Sequence, residues 1–153
     1  MMKSKIVFHD LKMEIRIETG VIARYYGELM YIIYDAPYCW LYFTGKNRYR
    51  VIVTMKRLMN NLPDASFIRC KRSVILNVCY YKEYVHNTSM LVMEDGREFK
   101  LTRPNVLKFN TIRTNIPHNS PPCPRCYTCT DEKCESRVIF LRQKKKLGVV
   151  GNE

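Results

Sequence analysis

Long apolar runs are absent from this 153-residue sequence. Its longest apolar stretch, around residues 29–34, has about six residues, whereas a helix that spans a bilayer needs about 20. The first ten residues contain cations but no continuous apolar segment of the kind found in signal peptides. We therefore predict a cytoplasmic protein that has no membrane partner.

Motifs of known catalytic sites are also missing. The histidines His9, His86 and His118 are far apart in the sequence, and none lies in an H-E-x-x-H or H-x-E pattern. With only six glycines, the chain has no glycine-rich phosphate-binding loop, and it has no G-x-S-x-G nucleophile motif. We predict that the protein is not an enzyme.

Acidic residues are scarce relative to basic ones. The chain has 26 Lys and Arg against 14 Asp and Glu, which gives a formal net charge of +12. Residues 1–116 hold 19 of the basic and ten of the acidic side chains, so most of the excess lies there. A positive charge of this size favours binding to nucleic acid first and to an anionic membrane surface second. The alternative is a soluble basic protein without a polyanionic partner.

The hydrophobic content, 46%, is sufficient for a folded core, and its pattern is mainly that of β-strands. One short helix is predicted at 55–61, with Thr54 as its N-cap and Pro63 ending it, and a helical turn or two at 106–112. Asp95-Gly96 predicts a hairpin in which both residues take positive φ. The predicted strands cover residues 14–18, 21–26, 29–34, 39–44, 48–54, 78–84, 89–93 and 97–102.

The segment 67–77, with the sequence F-I-R-C-K-R-S-V-I-L-N, combines a basic cluster with an apolar run. Arg69, Lys71 and Arg72 precede the apolar residues 74–76. This pattern predicts a strand with at least one buried face and with the cations at its beginning. Three crowded like charges favour contact with a polyanion. We predict that the Asn77 amide satisfies a turn and does not contact a ligand.

The same segment resembles the signature of LytTR DNA-binding domains, approximately F-x-R-x-x-R-S-x-x-V-N, at Phe67, Arg69, Arg72, Ser73 and Asn77, with Leu76 in place of the usual Val. Upstream, T-M-K-R-L-M-N-N-L-P is similar to the family's short helix. Downstream, E-D-G-R-E-F-K-L-T-R is similar to its D-G hairpin followed by a hydroxyl residue and an arginine. The resemblance covers roughly residues 14–113. It implies a mainly β fold of antiparallel sheets with one short helix, which binds double-stranded DNA through loops that enter successive major grooves.

The resemblance also implies roles for individual side chains. Arg72 would read a base, Arg103 would be a second base reader, and Ser73 and two lysines would contact the DNA backbone. Arginine can bind guanine bidentately, and neighbouring lysines add a salt-dependent attraction to phosphate. The alternatives are an unpartnered strand-edge cation for Arg72, an ordinary loop residue for Arg103 and a plain strand residue for Ser73. The role of Arg69 is open between the core and the DNA. The predicted DNA-binding residues are Arg69, Lys71, Arg72, Ser73, Arg103 and Lys108.

Three parts of the chain are predicted. Residues 1–13 form an N-terminal arm, residues 14–116 form the DNA-binding domain, and residues 117–153 form a linker, a Cys-rich cluster and a basic tail. Many LytTR proteins carry a receiver domain before the DNA-binding domain. Because few residues precede the first predicted strand, we expect a regulator that lacks one.

The C-terminal appendage carries the spacing C-x2-C-x2-C-x4-C. Its C-P-R-C start resembles half of a zinc knuckle, and its first three cysteines are similar in spacing to ferredoxin ligands. Three alternatives stay open: a metal site with zinc as the first candidate, a thiol redox sensor, and cysteines with no site. The candidate metal ligands are Cys123, Cys126, Cys129 and Cys134. The other cysteines, Cys39, Cys70 and Cys79, are predicted to be inert thiols in or near the core.

The leading hypothesis is a sequence-specific double-stranded DNA-binding transcriptional regulator. Family sites are commonly paired repeats, so a second protomer on DNA is an expected partner. The alternative is a metal- or redox-responsive interaction protein that acts through the C-terminal cysteines. A third hypothesis, RNA or nonspecific binding through the aromatic strands, predicts that single strands bind at least as well as duplex.

Overall fold

The computed structural model describes residues 6–10, 12–63 and 66–114, and this part of the chain is mainly β. Its strands form only antiparallel pairs, as predicted. The Cys-rich appendage lies outside the described residues. The strands are β1 Ile6–Phe8, β2 Lys12–Ile17, β3 Gly20–Tyr25, β4 Leu29–Asp35, β5 Tyr38–Phe43, β6 Arg48–Val51, β7 Phe67–Lys71, β8 Val74–Asn77, β9 Tyr81–Val85, β10 Met90–Met93 and β11 Glu98–Lys100, and the helices are α1 Met55–Asn61 and α2 Arg103–Thr114.

A five-stranded sheet with the order β6-β5-β4-β8-β7 forms the centre of the fold. Side chains alternate between its two faces, so Ile32 of β4 enters one hydrophobic core and Tyr31 enters the other. The sheet β1-β2-β3 and helix α1 contribute residues to the first core, and we name this side the α1 face. The sheet β11-β10-β9 and helix α2 contribute to the second core, on the α2 face.

The basic segment 67–77 forms a hairpin, whereas a single strand was predicted. Lys71 of β7 pairs with Val74 of β8, which leaves Arg72 and Ser73 as the tip of the hairpin. The burial patterns of the two strands differ: β7 alternates at its basic end, whereas every residue of β8 is buried. The prediction was wrong because the pattern of β7 continues directly into that of β8, with no glycine or proline between them. The cations therefore lie on β7 and the tip.

Helix α1 has the predicted bounds, and its predicted N-cap is confirmed. The Oγ1 of Thr54 accepts a hydrogen bond of 3.1 Å from the backbone N–H of Arg57. The structure adds a longer second helix, α2, where only a turn or two was predicted. Pro104 lies in the first turn of α2, where the missing N–H of a proline needs no partner. Neither helix is long and apolar enough to cross a membrane.

The predicted Asp-Gly hairpin is confirmed between β10 and β11. Its turn differs from the predicted one, because positive φ occurs at Gly96 (91°) and not at Asp95. The backbone N–H of Gly96 donates to the carbonyl of Met93, and the N–H of Met93 donates to the carbonyl of Arg97, both at 2.9 Å. These bonds indicate a loop longer than the predicted two-residue turn, with a glycine of positive φ near its end. Such loops are the most common hairpin connections after two-residue turns.

The predicted N-terminal arm contains strand β1. This strand pairs with β2, opposite Met13 to Ile15. Ile6 is buried in the core of the α1 face. Part of the segment predicted as an arm therefore belongs to the first sheet. The boundary predicted after residue 116 lies outside the described residues and stays a prediction.

Candidate nucleic-acid interface

The tip of hairpin β7–β8 has a fixed backbone and a free basic side chain. The Nη2 of Arg69 donates a 2.7 Å hydrogen bond to the carbonyl of Arg72. The backbone N–H of Tyr34 donates to the carbonyl of Ser73 at 2.8 Å, which ties the tip to β4. The side chain of Arg72 is exposed and, within the described residues, has no hydrogen-bond or ion-pair partner. The tip can therefore present a cation on a rigid support.

A groove of about 760 Å³ separates this tip from helix α1. It has a basic rim formed by two predicted residues, Arg69 and Arg72, and by two cations of the first turn of α1. Among the described residues, no acidic side chain lines it. Such a site favours an anionic partner with phosphate or carboxylate groups. The groove is lined by Tyr34, Pro37, Ile52, Val53, Thr54, Met55, Lys56, Arg57, Arg69, Arg72 and Ser73.

Helix α2 begins beside the same hairpin. The side chain of Asn105 is buried, and its Nδ2 donates to the carbonyl of Cys70 at 3.3 Å and to the Oγ1 of Thr102 at 2.9 Å. This anchor holds the first turn of α2, which contains Arg103, against β7 near the tip. Arg103 and Lys108 are exposed. They do not line the groove.

The structure thus divides the predicted residues into two groups. Arg69, Arg72 and Ser73 line the groove on the α1 face, whereas Arg103 and Lys108 belong to α2. Lys71 is exposed at the end of β7, between the groups. The Asn105 anchor places Arg103 near the tip, whereas Lys108 lies further along α2, next to Phe109, whose ring packs on that of Tyr81. The DNA contacts of these residues stay predictions.

Two basic residues of the groove, Lys56 and Arg57, were missed by the sequence reasoning. They lie in the first turn of α1, and Arg57 is also 5.5 Å from the ring centre of Phe8. Their signal was the M-K-R sequence that follows the N-cap Thr54, because the first turn of a helix usually carries acidic residues. Sequence alone could not show that this turn faces the hairpin tip.

The predicted structural role of Asn77 is confirmed. Its side chain is fully buried, and its Nδ2 donates to the carbonyl of Leu29 at 2.8 Å. Its Oδ1 accepts from the backbone N–H of Cys79 at 3.0 Å. Asn77 therefore joins β8 to the start of β4 and closes the turn that follows β8.

Two of the cysteines outside the appendage are buried, and no reactive thiol site forms around them. Burial raises the pKa of the Cys39 thiol and of the Cys70 thiol to about 11, so both are protonated at neutral pH. The Sγ of Cys39 donates to the carbonyl of Val53 at 3.1 Å. In the described part of the chain, no group of three or more His, Cys, Asp or Glu residues could hold a metal ion. The candidate metal ligands Cys123, Cys126, Cys129 and Cys134 lie outside the described residues.

Comparisons with known proteins agree with this architecture. The family of LytTr DNA-binding domains matches residues 26–113, which is more than half of the chain. A solved LytTr DNA-binding domain from Bacillus cereus has a similar fold, with a TM-score of 0.58 and 20% sequence identity over 69% of this chain and 98% of that one. No curated protein sequence matches the chain. The family match confirms the resemblance noted in the sequence, and the chain belongs to the LytTR family of DNA-binding domains.

Proposed function

We propose that this protein is a sequence-specific regulator of transcription that binds double-stranded DNA with loop side chains in the major groove. Membership of the LytTR family supports duplex DNA as the partner. The proposal rests on the basic groove at the end of the central sheet. Arg57, Arg69 and Arg72 line this groove, and no acidic side chain among the described residues does. A compact group of cations at a protruding tip matches the phosphate backbone and the base edges of a groove.

Arg72 is the proposed base reader. Its guanidinium can donate two hydrogen bonds to the O6 and N7 of guanine, which discriminates against other bases by about 1–3 kcal/mol. Because Arg69 and Tyr34 hold the backbone of the tip, little main-chain freedom is lost when the side chain binds. Arg103 is the proposed second base reader, and the Asn105 anchor holds its helix turn in place.

The other cations supply affinity without sequence preference. Lys71, Ser73 and Lys108 are proposed to contact phosphates, together with Lys56 and Arg57 of the groove. Each phosphate contact releases a counterion and steepens the fall of affinity with salt. These contacts fix the register in which the base readers meet the DNA. A second protomer on the DNA would place two such tips on a paired site.

Selection from a random duplex library with the full-length chain tests the proposal. We expect enrichment of one motif, tighter binding of that duplex than of either single strand, and an affinity that falls steeply with salt. Lys71→Gln serves as the control for a backbone contact: it should weaken binding to all sequences alike and reduce the salt slope by about 1. Absence of any preferred duplex at low salt, or equal affinity for single strands, would refute the proposal.

The spacing of the four C-terminal cysteines favours a second candidate function, that of a metal- or redox-responsive interaction protein. We propose zinc as the metal, because four thiolates can complete its tetrahedral coordination. Elemental analysis of purified protein, with a variant in which all four cysteines are serine as the control, tests this candidate. Zinc in the parent and not in the variant would support it. A metal-free parent that binds a defined duplex site would dismiss it.

A further inference from the structure

Two arginines of the edge strand β6 rest on aromatic rings of β5. The guanidinium carbon of Arg50 is 4.5 Å from the ring centre of Tyr38, and that of Arg48 is 5.2 Å from the ring centre of Trp40. All four side chains lie on the α2 face, because Trp40 and Arg50 are direct cross-strand partners in line with Ile33. We name this set the arginine ladder. Both rings are half-buried, and both arginines are exposed.

The charges of the ladder are not neutralised within the described residues. Neither guanidinium has a carboxylate within ion-pair distance there. Arg97 also lies over rings, those of Tyr31 and Tyr42, but the neighbouring Asp95 carboxylate accepts hydrogen bonds from the Tyr31 hydroxyl and from the backbone N–H of Arg97. Within the described residues the ladder therefore keeps its positive charge, which favours an anionic partner.

The ladder lies on the α2 face and the groove on the α1 face, and the two adjoin at the end of strands β5 and β6. Pro37, which precedes Tyr38, and Ile52, two residues after Arg50, both line the basic groove. Residues two apart on a strand are about 7 Å apart, and one DNA strand carries a phosphate every 3.4 Å along the helix axis. Arg48 and Arg50 can therefore meet two phosphates of one DNA strand that runs along β6 on the α2 face.

The rings serve to hold the arginines and are poorly placed for stacking on bases. A guanidinium already covers one face of Tyr38 and one face of Trp40. Stacked arginines lose less side-chain freedom on binding phosphate, since the ring has already fixed the stem. This arrangement favours phosphate contact over the stacking of single-stranded bases.

We propose that Arg48 and Arg50 bind the phosphate backbone of duplex DNA beside the base-reading tip and so extend the interface along β6. The proposal rests on the proposed function. It is tested with the preferred duplex in binding titrations between 50 and 200 mM salt, comparing the parent with the double variant Arg48→Gln, Arg50→Gln. The slope of log affinity against log salt should be smaller by about 1.8 in the variant. The ratio of parent affinity to variant affinity should therefore fall about tenfold between 50 and 200 mM salt.

Two control variants separate local contact from net charge. Lys82→Gln with Arg16→Gln removes the same charge from exposed residues of β9 and β2, outside the central sheet, and should keep the parental slope. Arg48→Lys with Arg50→Lys keeps the charge and should also keep the slope. If the double glutamine variant is unstable in thermal unfolding, each single variant gives the same readout with a reduction of about 0.9.

The outcomes are distinct. If the parent binds duplex DNA and the glutamine variants keep its salt slope, the proposal for Arg48 and Arg50 is overturned and the proposed function stands. A variant that loses affinity for single strands and not for duplex would overturn it too. A parent without any duplex preference would overturn both. Trimming one flank of the duplex should cost the parent more affinity than the glutamine variant, and equal losses would count against the ladder.

Discussion

The hairpins β7–β8 and β10–β11 both carry arginine at their turns and use it in opposite ways. In β10–β11, the Tyr31 hydroxyl donates to Asp95 at 2.5 Å, and the Arg97 guanidinium lies over the rings of Tyr31 and Tyr42. Burial and this hydrogen bond raise the pKa of Tyr31, so the hydroxyl stays protonated and donates at neutral pH. In β7–β8, the Arg72 side chain has no partner within the described residues, and only the backbone of the tip is fixed.

The difference shows how a structural arginine can be distinguished from one available for binding. Arg97 has a nearby carboxylate and two rings, so its interactions stabilise the fold. Arg72 is held only through its carbonyl, which leaves its five N–H donors for a partner. The two turns should therefore respond to mutation in opposite ways, one in stability and the other in binding.

Substitution of Arg72 should cause the largest loss of duplex affinity with no loss of stability. Arg72→Ala should weaken binding to the preferred duplex by about 1–3 kcal/mol, or 5- to 150-fold, and relax specificity at one base position. Its melting temperature should match that of the parent, because the removed side chain is exposed and makes no hydrogen bond or ion pair with the described residues. Duplex titrations with the selected site and with a scrambled site measure both effects.

Arg97→Ala is the matched control for Arg72→Ala. It should lower the free energy of unfolding by about 1 kcal/mol through the loss of two ring contacts, with duplex affinity nearly unchanged. Equal loss of duplex affinity in both variants would abolish the contrast between the two turns.

Gly96→Ala should destabilise the structural turn by backbone strain alone. The φ of Gly96 is 91°, and a side chain there would meet nothing within 4 Å. The strain of an L-residue in this conformation is about 1–2 kcal/mol, so denaturant unfolding should show a loss of this order with unchanged duplex affinity. Gly45→Ala, at a second positive-φ turn, adds to this strain a close approach of 3.3 Å between the new Cβ and the Asn47 Nδ2. A variant as stable as the parent would contradict the assigned turn.

Arg69→Gln resolves whether Arg69 braces the tip or contacts DNA. Loss of its bond to the Arg72 carbonyl should weaken specific binding by about 1 kcal/mol, or fivefold, through a looser tip. A purely bracing role leaves the salt slope unchanged, whereas a phosphate contact lowers it by about 0.9. Salt titration of Arg69→Gln beside Lys71→Gln provides the measurement. An affinity equal to that of the parent would exclude both roles.

Asp35→Asn should have the smallest effect. Asp35 is exposed, and it is the cross-strand partner of Tyr38 beside both the groove and the arginine ladder. Removal of this carboxylate should strengthen duplex binding about twofold at low salt, and the gain should disappear at high salt. Glu83→Asn, at an exposed position on β9 of the third sheet, is the control and should not change affinity. Weaker binding by Asp35→Asn would show that the carboxylate supports the interface.

Local signals in the sequence predicted much of the fold. Thr54 and Pro63 defined helix α1, and Asp95-Gly96 marked the hairpin β10–β11, because each signal depends on residues close in the chain. Hairpin β7–β8 and the length of α2 were not predicted. Hairpin β7–β8 has no glycine or proline at its turn. The length of α2 depends on the buried contacts of Phe109 and Ile112, which are made with distant strands.

The candidate site was only partly predictable for the same reason. The cluster of three cations marked Arg69, Lys71 and Arg72 directly, and the family resemblance extended the set to Arg103. Lys56 and Arg57 join the site only because α1 packs on the same face as the β7–β8 tip, and this placement depends on long-range packing. The arginine ladder likewise requires the register of β5 with β6.

The position of β4 in the middle of the central sheet has a consequence for amide hydrogen exchange. Its backbone bonds to β5 on one side and β8 on the other, while its alternate side chains enter both cores. Neither core can open without releasing β4, so the amide protons of Tyr31, Ile32 and Ile33 should exchange only through global unfolding. The edge strands β1 and β6 should exchange earlier by local opening. The arginine ladder therefore lies on an edge strand that we expect to exchange early. The tip of hairpin β7–β8 is supported by β8, next to β4, which we expect to exchange most slowly among the described strands.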